Sequence, residues 1–82
     1  MAKRWSVYIV ECKDGRLYTG ISNNVEKRVE KHNKGVGSKF TLYNRPVKLV
    51  YQEVRTTRVT ALKREFEIKS YPRKKKLSLI NK

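Results

Sequence analysis

Two short runs rich in β-branched and aromatic residues, Trp5 to Cys12 (WSVYIVEC) and Leu17 to Ile21 (LYTGI), stand on either side of Lys13-Asp14-Gly15. Strands joined by so short a turn fold back on each other, so a β-hairpin constrains everything that follows. Its loop length sets which side chains share a face, because side chains alternate along each strand. A two-residue Asp-Gly loop pairs Cys12 with Leu17 and puts Tyr8 and Tyr18 on opposite faces. A three-residue Lys-Asp-Gly loop, with Gly15 left-handed and a bulge, pairs Cys12 with Arg16 and Tyr8 with Gly20. The two tyrosines are then diagonal neighbours on one face.

Beyond the hairpin the pattern turns helical. Asn23 or Asn24 caps a helix running to about residue 34 and stopped by Gly35, and Asn23 with Glu26 has the layout of a capping box. Val25 and Val29 give that helix a narrow apolar stripe, and Arg28 and His32, four residues apart, share a face. Residues 35–44 read as a loop or a short irregular helix. Val47 to Val54 predicts a third strand, with Val47, Leu49 and Tyr51 on one face and Val50 on the other. Thr56 or Thr57 caps a helix over about 58–70, whose expected buried side is Val59, Leu62, Phe66 and the stem of Lys69, widened by Ile68. Pro72 ends it, and a short basic helix over 73–81 packs down through Leu77 and Ile80. The expected architecture is α+β: a small, mostly antiparallel three-stranded sheet (about 5–12, 16–21 and 47–54) flanked by helices. The whole of residues 1–82 is expected to form a single domain.

The charge balance points to a partner class. Twenty-one Lys and Arg against seven Asp and Glu give a net charge of +14. Nine of the basic residues lie in residues 1–41 and twelve in 42–82, so the charge belongs to the fold rather than to a detachable arm. An excess this large goes beyond what solubility asks of a small domain and attracts polyanions, nucleic acid first among them. Cys12 is the only cysteine, which excludes an internal disulfide and a zinc-type Cys/His set and leads to the expectation of a cytoplasmic protein. No apolar stretch approaches the roughly 20 residues of a membrane span. Cys12 itself reads as an inert core or turn-adjacent residue.

Ser6-Val7-Tyr8, then Tyr18-Thr19-Gly20 with its tyrosine ten positions after Tyr8, then Arg28, His32 and a later helical Glu65, together resemble the GIY-YIG nuclease family, in particular its small, stand-alone, single-domain bacterial members. The likeness runs from residue 5 to about residue 80. Tyr8 matches the tyrosine that ends the family's first signature and Tyr18 the one that opens its second. Gly20 matches the second signature's final glycine, a structural position. Arg28 matches the helical arginine, His32 the histidine one turn later, and Glu65 the metal-binding carboxylate. Two letters depart, Ser-Val-Tyr for Gly-Ile-Tyr and Tyr-Thr-Gly for Tyr-Ile-Gly, and neither removes a functional side chain. A further asparagine that often follows the carboxylate in the family has Asn81 as its one counterpart.

The resemblance implies an endonuclease that hydrolyses DNA phosphodiester bonds with one Mg²⁺ or Mn²⁺ ion, with a structure-specific role in DNA repair or recombination. The residue types suit that chemistry. Arg28 offers a planar fork of two parallel charged hydrogen bonds to phosphate oxygens. Glu65 suits Mg²⁺, which keeps several waters and accepts one or two carboxylates plus substrate phosphate. Tyr8 or Tyr18, its phenol pKa drawn down beside metal and arginine, would be the general base, with His32 relaying or orienting the proton. This favours the three-residue loop, since only that register lets both phenols address one site. Lys27, Lys39, Arg64, Arg73, Lys74, Lys75 and Lys76 are the expected phosphate contacts.

Taken singly, each residue has a plainer role: the tyrosines as strand filler, Glu65 as the ion-pair partner of Lys69, His32 as an exposed last-turn histidine. It is their order and spacing as a set that carries weight. Three functions therefore stand to be weighed: the endonuclease; a non-catalytic DNA- or RNA-binding module on the same fold; and a ribosomal-type RNA binder, which rests on charge alone. The chain has no room for an attached targeting domain, so a protein partner supplying specificity is expected for the first.

Overall fold

The computed structural model describes residues 4–81. Strand β1 (Trp5–Glu11) pairs antiparallel with β2 (Leu17–Ser22) and, on its other edge, with β3 (Lys48–Arg55), giving the order β2-β1-β3. Helices α1 (Val25–Asn33), the one-turn α2 (Lys39–Leu42), α3 (Arg58–Lys69) and α4 (Arg73–Ile80) complete the described chain. The hairpin takes the three-residue register. Tyr8 sits opposite Gly20 and Val10 opposite Tyr18, the Cys12 N–H bonds the Arg16 carbonyl at 2.8 Å, and Gly15 has φ +90°.

Because β1 is central it is buried on both faces, which is why it reads as a continuous apolar run instead of an alternating one. On one face Tyr8, Val10 and Cys12 pack with Val25 and Val47, covered by Tyr18, Val29 and Leu49. On the other, Val7 and Ile9 pack with Ala61 and Ile68, joined by Leu17, Ile21, Val50, Tyr51, Leu79 and Ile80. Asn24, not Asn23, caps α1, its side chain accepting from the Lys27 N–H, and the Asn23–Glu26 capping box does not form.

Two expected faces are corrected. The register of β1 against β3 shifts between Ile9 and Val10: Ile9 faces Tyr51 and Val10 faces Leu49, so Val50 is an extra residue in β3. That bulge turns Tyr51 onto the face of Val50 and leaves Leu49 on the other. Helix α3 is rotated from its apolar pattern. Val59 and Phe66 are 61% and 77% exposed, while Ala61 and Ile68 are fully buried. The small Ala61 side chain lets α3 close on the sheet, and the half-buried Arg64 reaches Glu53 of β3 from that same inward side. In α4, Leu79 joins Ile80 on the core, whereas Leu77 is half-buried apart from that cluster.

Candidate functional site

Tyr8 is a β1 residue whose side chain lies across β2. It can do so because its cross-strand partner is Gly20: a Cβ there would sit 2.6 Å from the phenol oxygen and 2.8 Å from Cζ. Laid over Gly20, the Tyr8 hydroxyl meets Nε2 of His32 at 2.8 Å, while its ring stands 6.5 Å from that of Tyr18. Tyr18 in turn packs edge-on against His32 with centroids 5.2 Å apart. The hairpin register and the i, i+4 helical spacing thus bring two tyrosines and a histidine into one cluster.

His32 is fully buried, not an exposed last-turn residue. Its other nitrogen, Nδ1, lies 2.8 Å from Thr41 Oγ1. Thr41 Oγ1 donates to the Ser38 carbonyl at 3.2 Å, and the Ser38 hydroxyl lies 3.0 Å away. Counting donors assigns the tautomer: Thr41 spends its proton on Ser38, so His32 Nδ1–H donates to Thr41, and Nε2 is left to accept from the Tyr8 hydroxyl. Burial, reinforced by the nearby Arg28 charge, lowers the His32 pKa and holds the imidazole neutral. Among the described residues no buried side-chain nitrogen or oxygen lacks a partner, so this polar chain is fully satisfied.

Arg28, half-buried on α1, donates to the Gly37 carbonyl at 3.0 Å and lies close enough to Tyr8 to act on its phenol. Burial nonetheless dominates and raises the Tyr8 pKa, with Arg28 pulling the other way. The expectation of a tyrosine with a lowered pKa is therefore corrected for Tyr8, whose proton is held by desolvation. Glu65 enters from α3, on the inward side between Ala61 and Ile68, within electrostatic reach of the Tyr8 phenol. Its side chain is 18% exposed and 3.6 Å from Lys69, so the plainer ion-pair role is present too. Among the described residues no group of three or more His, Cys, Asp or Glu gathers. A lone, half-buried carboxylate is a donor set that fits Mg²⁺ completed by waters and phosphate oxygens, not zinc.

Sequence reasoning missed Gly37, Ser38 and Thr41. A Cβ at Gly37 would fall 2.2 Å from His32 Nδ1, and its carbonyl holds Arg28, so this glycine sets two site residues at once. The only local signal was Ser38, which caps α2 by accepting from the Thr41 N–H; that the same threonine braces a histidine nine residues back is invisible before folding.

The expected phosphate contacts divide. Lys27, Lys39, Arg73 and Lys74 are exposed and Lys76 is half-buried. Lys75 stands 4.1 Å over the Tyr71 ring, away from Arg73 and Lys76. Arg64 is corrected: its Nε contacts Glu53 at 2.9 Å and its Nη1 bonds Glu67 and Tyr71, so its charge is already spent. Asn81 is the exposed C-cap of α4, its N–H bonding the Leu77 carbonyl, which ties it to the helix end and not to the tyrosines. Cys12 is buried and burial raises its thiol pKa, in keeping with an inert core residue. None of the described helices is long and apolar enough to cross a membrane.

Residues 4–78 match the family model described as the GIY-YIG catalytic domain. A UPF0213 protein of Staphylococcus saprophyticus is 59% identical over 75 residues, which cover 92% of each chain. A UPF0213 protein of Staphylococcus aureus is 62% identical over 74 residues, covering 90% of each. Among solved structures, the solution NMR structure of a UPF0213 protein from Bacillus halodurans resembles this one with a TM-score of 0.62 at 38% identity, covering 95% of this chain and 83% of that one.

Proposed function

This chain belongs to the GIY-YIG family, which implies a nuclease-type function, and on that premise we propose that it is a metal-dependent DNA endonuclease in which Tyr8, Tyr18, Arg28 and His32 act on the phosphate and Glu65 holds one Mg²⁺ or Mn²⁺ ion. The observation that carries this reading is the 2.8 Å contact between the Tyr8 hydroxyl and a neutral His32 Nε2. A phenol with a raised pKa is a poor base by itself, but here its own proton has an acceptor in place. As water attacks phosphorus, the water proton passes to Tyr8 while the Tyr8 proton passes to His32 Nε2, and the P–O bond to the leaving sugar oxygen breaks. Thr41, accepting from Nδ1, keeps His32 in the tautomer this transfer needs.

Arg28 places its fork on the non-bridging phosphate oxygens and balances the charge that grows there. The incoming phosphate also brings the negative charge that offsets an imidazolium next to Arg28. Tyr18, against both Tyr8 and His32, positions the pair and presents a second hydroxyl to the substrate. When bound at Glu65, the ion supplies Lewis-acid stabilisation of the phosphate and leaving oxygens. The single-domain organisation of residues 1–82, a cytoplasmic setting, a role in repair or recombination and a protein partner that selects DNA structures belong to this reading.

The test is nicking of supercoiled plasmid at low salt with Mg²⁺, Mn²⁺ or EDTA, beside Arg28→Ala and Glu65→Ala. Metal-dependent nicking lost in both variants is expected. If wild type merely retards the plasmid, equally in EDTA and in both variants, the protein is instead a nucleic-acid-binding module, and RNA becomes the next ligand to try.

A further inference from the structure

Beside the tyrosine cluster lies a cleft of about 210 Å³ between the hairpin, α2 and the start of α4, lined by Arg16, Leu17, Phe40, Arg73 and Lys76. Three of its five walls are cationic and one is aromatic. Arg73 is anchored there by a 3.0 Å bond from Nη2 to the Gly15 carbonyl, although the two residues are 58 apart in sequence. Arg16 is paired with Asp14 at 2.8 Å, so the cleft carries two positive charges in excess even when that carboxylate is counted. Arg73 and Lys76, at i and i+3, turn toward the cleft while Lys75 turns to Tyr71, which divides the basic run of α4 between two surfaces.

Phe40 links this cleft to the candidate site. Its ring is stacked on Tyr18 with centroids 5.9 Å apart and planes 28° from parallel, yet it remains 37% exposed among the cations. The Arg16 guanidinium carbon is 5.9 Å from the same ring, a loose approach for a side chain that is itself 65% exposed. An incoming group can therefore displace Arg16 from Phe40 without breaking a buried contact. The volume equals that of about seven liquid waters, enough for a phosphate and part of its sugar, with the attached base lying on the exposed part of Phe40. The cleft opens at the start of β2, an edge strand among the described residues, so no neighbouring strand blocks a passing polynucleotide.

We infer that this cleft is a subsite for one nucleotide of the substrate strand flanking the cleaved phosphate, with the phosphate held by Arg16, Arg73 and Lys76 and the unstacked base laid against Phe40. A cluster of lysines and arginines alone would describe non-specific attraction. The aromatic face at its centre, continuous with Tyr18, matches how single nucleotides are gripped: cations on the backbone, a ring for the base. A base reaches that ring only when it has left its own stack, so the subsite favours nucleic acid with an unpaired or displaced nucleotide beside the cut. The inference rests on the nuclease reading for the substrate's origin, but its test needs no cleavage.

The experiment is an NMR titration of the metal-free protein with deoxyadenosine 3′,5′-bisphosphate and, separately, with inorganic phosphate. With the nucleotide, the Phe40 ring and the Leu17, Arg73 and Lys76 amides should shift, and the adenine protons should move upfield from ring current. With inorganic phosphate the basic residues should respond and the Phe40 ring should not. Phe40→Leu keeps apolar bulk against Tyr18 but removes the π face, and should weaken nucleotide binding by about tenfold or more while leaving the phosphate response intact. Responses confined to Arg28 and Lys27, or equal affinity in Phe40→Leu, overturn the subsite. A plasmid that is never nicked alongside a positive titration removes the nuclease reading and keeps the subsite; nicking alongside a negative titration does the reverse.

Discussion

Gly20→Ala separates the position of the Tyr8 phenol from the stability of the fold. The added Cβ would lie 2.6 Å from the phenol oxygen, where ordinary contact begins at 3.4 Å, so the hydroxyl must retreat by about 0.8 Å. Tyr8 is 1% exposed and packed among Val10, Val47 and Leu49, so the ring cannot swing into solvent. Held by His32 at 2.8 Å, the hydroxyl cannot retreat that far and keep a well-formed bond. Overpacking of this kind costs about 1–3 kcal/mol of stability. Misplacement of a reacting group by about 1 Å costs on the order of 10²-fold in rate.

The control is Gly15→Ala. Nothing lies within 4 Å of a Cβ at Gly15, but its φ of +90° is strained for any other residue, so about 1–2 kcal/mol of stability is lost with no contact to the Tyr8–His32 pair, and the Gly15 carbonyl that holds Arg73 is retained. Urea unfolding followed through Trp5 fluorescence gives the stability of each variant, and initial rates of Mg²⁺-dependent plasmid nicking give activity. Comparable destabilisation, with activity lost only in Gly20→Ala, is the expected pair of results. Wild-type nicking by Gly20→Ala would refute the placement of the Tyr8 hydroxyl at the chemistry, and equal loss in both variants would trace the defect to the fold.

The pH dependence of stability follows from His32. Its folded pKa is lowered, so below the unfolded value near 6.5 the unfolded chain binds the extra proton first, and stability falls as pH drops through that window. The slope there is up to about 1.4 kcal/mol per pH unit, and it should flatten in His32→Gln, as urea midpoints at pH 7.5, 6.0 and 5.0 will show. Thr41→Val keeps the shape but leaves His32 Nδ1–H without its acceptor; a loss of about 1–3 kcal/mol and a fall in nicking rate are expected, checked by unfolding and plasmid assay together. Arg28→Lys keeps the charge but loses the planar fork and its bond to the Gly37 carbonyl, so about 1 kcal/mol of stability should go while nicking drops by about 10-fold or more at temperatures where the variant is still folded, checked by urea unfolding beside the plasmid assay. Phe66→Ser, at a 77% exposed position, should change stability by no more than about 0.5 kcal/mol, where a buried phenylalanine truncation would cost about 3–5 kcal/mol.

What the sequence by itself determined lies within short stretches of chain. The β-hairpin and the sharing of one helical face by Arg28 and His32 depend on contacts a few residues apart, where turn chemistry and periodicity decide. Turn chemistry left two loop lengths open, and the demand that both phenols address one site favoured the three-residue register with Gly15 left-handed and Tyr8 facing Gly20. Helix limits were legible to within a residue for the same reason: Asn23 or Asn24, Thr56 or Thr57, and Pro72 each bear on the turn beside them, and the structure chose Asn24 and Thr57. Tertiary structure decided the rest. The extra Val50 in β3 is a property of its pairing with β1, forty residues away, and it alone moves Tyr51 to the other face. The inward side of α3 was ambiguous because an apolar stripe and a small-residue stripe share one helix; Ala61 won, since close approach to a sheet buried on both faces excludes the bulk of Phe66. Arg64 read as a free cation until Glu53 came within reach, and the plainer reading of His32 as an exposed last-turn residue fell only when α2 placed Thr41 on its Nδ1. The cleft at Phe40 joins a hairpin turn, a one-turn helix and the start of α4, and such a juxtaposition exists only once long-range packing has closed the chain around them.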